Sequence, residues 1–137
     1  METLFVLDAC ALIALLKNET GASVVTDAYR KAANGEAKII MNRINLLEVY
    51  YGYYRDDGKE YAEKILNGIM RSIISITDFN ETLFHEAGRL KASYNISLAD
   101  AIVLAQTLLT DGALLTADHH EMSSIEGREP IKINWIR

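Results

Sequence analysis

The sequence predicts an α/β domain with a mostly parallel central sheet and helices on both faces. Short continuous apolar runs, the pattern of strands covered on both sides, alternate with longer stretches whose apolar residues recur at helical spacing. Two of these runs end directly on an aspartate, Asp8 and Asp118. In an open α/β sheet that carboxyl edge is where ligands bind.

Residues 4–7 read as the first buried strand and 9–16, rich in Ala and Leu and free of Gly and Pro, as the first helix. Asp8 falls at the joint. Residues 20–34 form a second helix, with Val24, Val25, Ala28 and Ala32 on one face and Gly35 as a stop signal. Residues 37–41 are the second strand. The helix over 43–55 places Ile44, Leu47 and Tyr51 on its buried face, which Glu48 shares. Asp56-Asp57-Gly58 turns the chain into a helix over 59–70 that carries Ala62, Ile65, Leu66 and Ile69 inward. These two helices make a hairpin standing off the sheet. Residues 72–76 are the third strand, and 80–94 a helix striped by Leu83, Ala87, Leu90 and Tyr94. The most apolar helix spans 97–109 and ends at Asp111-Gly112. Strands over 113–117 and 131–135 complete the sheet, the last following the only proline, Pro130. With no repeat, linker or low-complexity segment, 1–137 reads as a single domain.

Half the residues are hydrophobic and 24% charged, an ordinary globular balance that excludes disorder. The single cysteine, Cys10, forms no intramolecular disulfide and fits a reducing, cytoplasmic setting. Glu2 stands where a signal peptide is basic, and no apolar run reaches membrane-spanning length, so neither secretion nor a membrane is expected. The net charge of −5 argues against a nucleic-acid partner held by a basic surface. Setting aside four acids clustered around metal leaves the remainder close to neutral, and a bound divalent cation reverses the local sign.

Those acids are Asp8, Glu48, Asp100 and Asp118. Each has a structural explanation of its own. Asp8 caps the first helix. Glu48 pairs with Arg43 or Arg71, or lies on a more exposed helix face. Asp100 completes a Ser97-x-x-Asp100 capping box, and Asp118 caps a short segment reaching Met122. Taken together they point further, because a doubly wound sheet gathers strand ends and helix starts into one cleft. Unpartnered carboxylates there repel one another, and a hard cation, Mg²⁺ or Mn²⁺, relieves the repulsion. Such ions support in-line hydrolysis of a phosphodiester.

In these residues the chain resembles the PIN-domain ribonucleases. The matching stretches are Asp8 after the first strand, Asn45-Leu-Leu-Glu48-x-x-x-Gly52, Ser97-Leu-Ala-Asp100-Ala and Leu115-Thr-Ala-Asp118-x-x-x-Met122. Their order and spacing agree over essentially the whole chain, and the compact length is most similar to VapC-type toxins of toxin–antitoxin pairs. The resemblance implies a PIN-like three-layer fold, Mg²⁺- or Mn²⁺-dependent endoribonuclease activity, a homodimer, and an antitoxin partner. It makes Asp8, Glu48, Asp100 and Asp118 the metal-binding and catalytic acids, with the Thr116 hydroxyl beside them. Cys10 departs from a position often Asn or Ser, and Met122 from a frequent aromatic.

Among the remaining signals, Arg43, Arg55 and Lys59 are candidates for contacts to RNA phosphates. The run Tyr50-Tyr51-Gly52-Tyr53-Tyr54-Arg55 could stack on unpaired bases but reads rather as packing of the helix hairpin or a dimer interface, with Tyr53, Tyr54 and Arg55 the exceptions, turned outward. His119-His120 read as solvated turn residues. A lone Cys10 with no evident base is not a nucleophile. Rival readings are a receiver or haloacid-dehalogenase phosphotransfer domain, a housekeeping PIN-type RNA-processing nuclease, and a non-catalytic PIN-like binding module. The dehalogenase pattern needs an acid where Cys10 stands, and a receiver needs an acid pair after the first strand that is absent here.

Overall fold

The computed structural model describes residues 2–137. Its strands are β1 (Thr3–Leu7), β2 (Ala37–Asn42), β3 (Ser75–Thr77), β4 (Ala113–Thr116) and β5 (Lys132–Trp135). They form one five-stranded sheet in the order β3-β2-β1-β4-β5, parallel throughout. The helices are α1 (Ala9–Lys17), α2 (Ala22–Ala33), α3 (Arg43–Asp57), α4 (Lys59–Met70), α5 (Glu81–Ser93), α6 (Leu98–Thr110) and the single turn α7 (His119–Met122).

Alternation along the strands divides the core in two. Phe5, Leu7, Ile39, Met41 and Leu115 face α1 to α4, whereas Val6, Ile40 and Leu114 face α5, α6 and Met122 of α7. The α/β class with helices on both faces is therefore the observed one. At the centre, β1 lies between β2 and β4, so the end of β1 opens onto the ends of both neighbours.

Two elements differ from expectation. The third strand begins at Ser75, three residues later than the apolar run suggests, because Ser72 turns the chain. Its hydroxyl donates to the Ile69 carbonyl at 2.6 Å and accepts the Ile74 N–H at 3.2 Å. Helix α3 is rotated: Ile44, Leu47 and Tyr51 are exposed, and Asn45, Leu46, Val49 and Tyr53 are buried instead. Both stripes obey helical spacing, so the apolar pattern does not choose between them. The choice follows from the N-terminus of the helix. Asn42 accepts the Ile44 N–H at 2.9 Å, and the Asn45 amide donates to the Ala99 carbonyl at 3.1 Å, turning the Asn45 side inward. Tyr53, expected outward, packs instead against Tyr61 of α4 under the Lys17 ammonium. Tyr51, Tyr54 and Arg55 are the exposed members of that run.

The C-terminal segment is fastened to the turn before α2. Gly21 has φ +98°, and a Cβ there would stand 2.5 Å from the Ile136 carbonyl oxygen. Gly35, with φ +78°, has open space around it. Gly35→Ala should therefore lose only the left-handed backbone preference, about 1 kcal/mol. Gly21→Ala should lose about 2–4 kcal/mol, since the close approach to Ile136 adds to the strain. Urea unfolding of the two variants measures the difference, and equal losses would mean that the tail is not clamped at Gly21.

Candidate active site

Asp8 caps α1 from the end of β1. Its Oδ1 accepts the Ala11 N–H at 2.8 Å, and its Oδ2 accepts the Thr116 hydroxyl from the end of β4. The Cys10 thiol lies 3.1 and 3.3 Å from the two oxygens. The residue is only 4% exposed, so a charge is held in the interior by neutral dipoles alone. Burial pushes the Asp8 carboxyl above its ordinary range, and the Thr116, Ala11 and Cys10 donors pull it part of the way back.

Thr116 has a second role. Its Oγ accepts the Asp118 N–H at 3.0 Å, so one hydroxyl ties Asp8 to the backbone of Asp118. Asp118 in turn caps α7, its Oδ1 accepting the Glu121 N–H at 3.2 Å.

Asp100 lies in the first turn of α6, where Ser97 is the N-cap and accepts the Asp100 N–H at 3.1 Å. The return half of a capping box, a carboxylate on the Ser97 N–H, comes from Glu121 Oε2 at 2.9 Å. The expected Ser97/Asp100 box is thus only half formed, and the Asp100 carboxylate is left facing the cleft. Burial first, then the charges of Asp118 and Glu121, push its pKa up to about 7.

Glu48 is half-buried on α3. The apolar stripe it was expected to share is the exposed one, so Glu48 is not a core carboxylate. Its pKa is raised by partial burial, with smaller contributions from the charges of Asp8 and Asp118. Neither Arg43 nor Arg71 pairs with it.

Asp8, Glu48, Asp100 and Asp118 line one cleft of about 230 Å³ together with Ala9, Cys10, Ser97 and Glu121. Among the described residues no Lys, Arg or His nitrogen lies within 4.0 Å of any of its five carboxylates. The donors are carboxylate oxygens beside one protonated thiol, a set that suits a hard divalent cation. As they stand, no three of the described side chains are close enough to ligate one ion.

The three predicted phosphate contacts lie outside the cleft. Arg43 pairs with Asp78 and Arg55 with Asp56, both on the surface, and exposed Lys59 opens α4. Two neighbours of the site escaped the sequence reading. Glu121 was signalled by its place three residues after a capping aspartate. His119 is exposed as expected, but its ring stacks on Trp135 with centroids 3.8 Å apart and planes within 12°. Cys10, its thiol pushed up to about 12 mainly by burial, stays protonated.

A parallel α/β sheet whose central strand ends run into an acidic cleft has that cleft at the edge where such folds bind their ligands. Residues 5–127 match the PIN domain, and the chain belongs to that family. Among solved structures it is similar to VapBC2 from Rickettsia felis bound to a DNA fragment from their promoter. That chain is 19% identical with a TM-score of 0.75, over 97% of this chain and 98% of that one. DNA-bound VapBC from Salmonella typhimurium is 16% identical at a TM-score of 0.75, and both chains are covered fully. A toxin–antitoxin complex from Klebsiella pneumoniae is 20% identical at a TM-score of 0.70, over 99% and 98% of the two chains. At these identities the likeness is one of fold. Comparison with curated protein sequences finds no match.

The raised pKa of Asp100 fixes the sign of a pH effect. Between its ordinary value of 3.8 and about 7 the native state keeps a proton that the unfolded state releases. Stability of the metal-free protein should therefore fall as pH rises through that window. Asp100→Asn removes this contribution. In EDTA the variant should match wild type near pH 4 and be the more stable of the two near pH 8, as read by urea or thermal unfolding. A variant that is less stable at both pH values would reduce Asp100 to a helix-capping role.

Proposed function

We propose that the protein is a divalent-metal-dependent endoribonuclease, acting as a single PIN-like domain and as the toxin of a toxin–antitoxin pair. The observation that carries this reading is the cleft of five carboxylates without a basic partner at the carboxyl edge of a PIN-family sheet. The fold shared with VapBC complexes supports the toxin assignment and a protein antitoxin as partner. A homodimer is what the PIN-domain resemblance implies, and a cytoplasmic location is what a single cysteine fits. Among the described residues no helix is long and apolar enough to cross a membrane.

Asp8, Asp100 and Asp118 would hold Mg²⁺ or Mn²⁺, with Glu48 beside them. When bound, the cation supplies Lewis-acid polarisation of the phosphate and charge stabilisation at the leaving oxygen. The protein's own groups do the rest. Thr116 fixes the Asp8 carboxylate by its hydroxyl. Glu48, half-buried and made more basic chiefly by that burial, would in its ionised form orient the attacking water and accept its proton at a carboxylate oxygen. Cys10 holds its proton and donates toward Asp8, so attack comes from water and no covalent enzyme intermediate forms.

Asp8→Asn keeps an oxygen for the Ala11 N–H, so the cap and the fold should survive. It removes the charge that holds the cation, and cleavage of a fluorogenic single-stranded RNA in Mg²⁺ or Mn²⁺ should drop about 100-fold or more. Expressed alone, the wild type should slow growth and the Asn variant should not. Full cleavage in excess EDTA would refute metal dependence. Harmless expression of a cleaving enzyme would favour RNA processing over a toxin role.

A further inference from the structure

We propose that His119 and Trp135 form a stacking platform for an unpaired nucleobase beside the scissile phosphate. This rests on the ribonuclease reading above and extends it to how the substrate is held. The cleft itself is a poor anchor for a polyanion, since five carboxylates line it and Arg43 and Arg55 are paired with other acids on the surface. Affinity for RNA has to come in part from contacts that do not depend on positive charge. Stacking of bases on aromatic rings is such a contact, and it is tolerant of sequence.

The His119–Trp135 pair is attached to the site at both ends. His119 follows Asp118 directly and opens α7, which Asp118 caps. Trp135 is the register partner of Thr116, whose hydroxyl binds Asp8. The pair thus adjoins, in sequence and in register, residues that line or support the cleft. The pair is also held rigid before any ligand arrives. Trp135 packs on the core layer that includes Val6 and Leu114. The His119 ring lies parallel to it, with Nε2 paired to the Arg137 carbonyl oxygen at 2.8 Å. A ring already fixed loses little entropy when a base is added to it. His119 nevertheless stays exposed although one of its faces rests on Trp135. The other face is where a third flat ring extends the stack. A base can lie there only when it is not held in a duplex, so the substrate class is single-stranded RNA or an unpaired loop.

Trp135 is the only tryptophan, so intrinsic fluorescence reports on the platform directly. The full-length Glu48→Gln protein, which keeps the three aspartates proposed to hold the cation but lacks the proposed proton acceptor, is titrated in Mg²⁺ with a single-stranded oligoribonucleotide and should show a change in tryptophan emission that a fully paired duplex of the same sequence does not produce. In the active background His119→Ala should raise KM for single-stranded RNA about tenfold with a much smaller change in kcat. His119→Tyr, which keeps a flat ring, should restore KM. An unchanged KM in His119→Ala, or equal fluorescence responses to duplex and single strand, overturns the platform and leaves the nuclease reading standing. Emission that responds to a co-purified protein partner but not to RNA assigns the pair to a protein contact and overturns it as well. A wild-type enzyme that cleaves no RNA in Mg²⁺ or Mn²⁺ overturns the nuclease reading, and the platform with it.

Discussion

A carboxylate is buried at the centre of this fold with no basic side chain among the described residues to balance it, and the geometry of the site depends on that one residue. Asp8 joins β1 to α1, so its position is set by the backbone of two core elements. Three neutral groups hold it, the Ala11 N–H, the Thr116 hydroxyl and the Cys10 thiol. Hydrogen bonds to an ionised acceptor are among the stronger ones in a protein, which is why the burial is tolerable. They do not remove the charge. Because Thr116 also accepts the Asp118 N–H, the placement of the first aspartate is passed to the last. Removing that hydroxyl would loosen both ends of the cleft at once.

The contrast with the rest of the surface shows that the missing counter-charge is a local property. Elsewhere the chain pairs its acids readily. Arg89 bridges Glu86 and Glu129 while Tyr94 donates to Glu129, fastening the segment before β5 onto α5. Arg30 pairs with Asp27, Arg43 with Asp78 and Arg55 with Asp56. Exposed pairs of this kind contribute little to stability. A single arginine reaching the cleft would settle its carboxylates far more effectively, and among the described residues none does. The arrangement keeps a strong local field at some expense in the stability of the metal-free fold.

The α/β class and the strand positions other than that of β3 were readable because continuous apolar runs admit few other interpretations, and the aspartates at their ends were readable for the same reason. The rotation of α3 was not. Ile44, Leu47 and Tyr51 form as good a stripe as Leu46, Val49 and Tyr53, and the decision rests on a hydrogen bond from Asn45 to Ala99, fifty-four positions away. Glu48 was therefore singled out on a mistaken premise, as a core carboxylate, yet it lines the cleft. At Ser97 the local pattern supplied half the truth. The hydroxyl caps α6 as expected, but the partner that closes the box is Glu121 on another element. The His119–Trp135 stack joins residues that only the pairing of β4 with β5 brings together, so no local signal announced it.

An acidic protein that approaches RNA in the proposed way faces a problem of sign, and the structure indicates how the two halves of the answer divide. A basic surface attracts phosphates through counterion release and binds any nucleic acid that passes. On the proposed reading the region nearest the chemistry is negative until a divalent cation reverses it, so a phosphate would enter the cleft only where the cation is already held. Contacts outside the cleft then have to be made by groups that do not attract the cation or repel the backbone. Aromatic faces meet that requirement, and those of His119 and Trp135 stand one residue from Asp118 and in register with Thr116. Discrimination follows from the same division. Duplexes, whose bases are already stacked, gain nothing from the platform. An unpaired strand gains both the stack and, through the cation, a place for its phosphate.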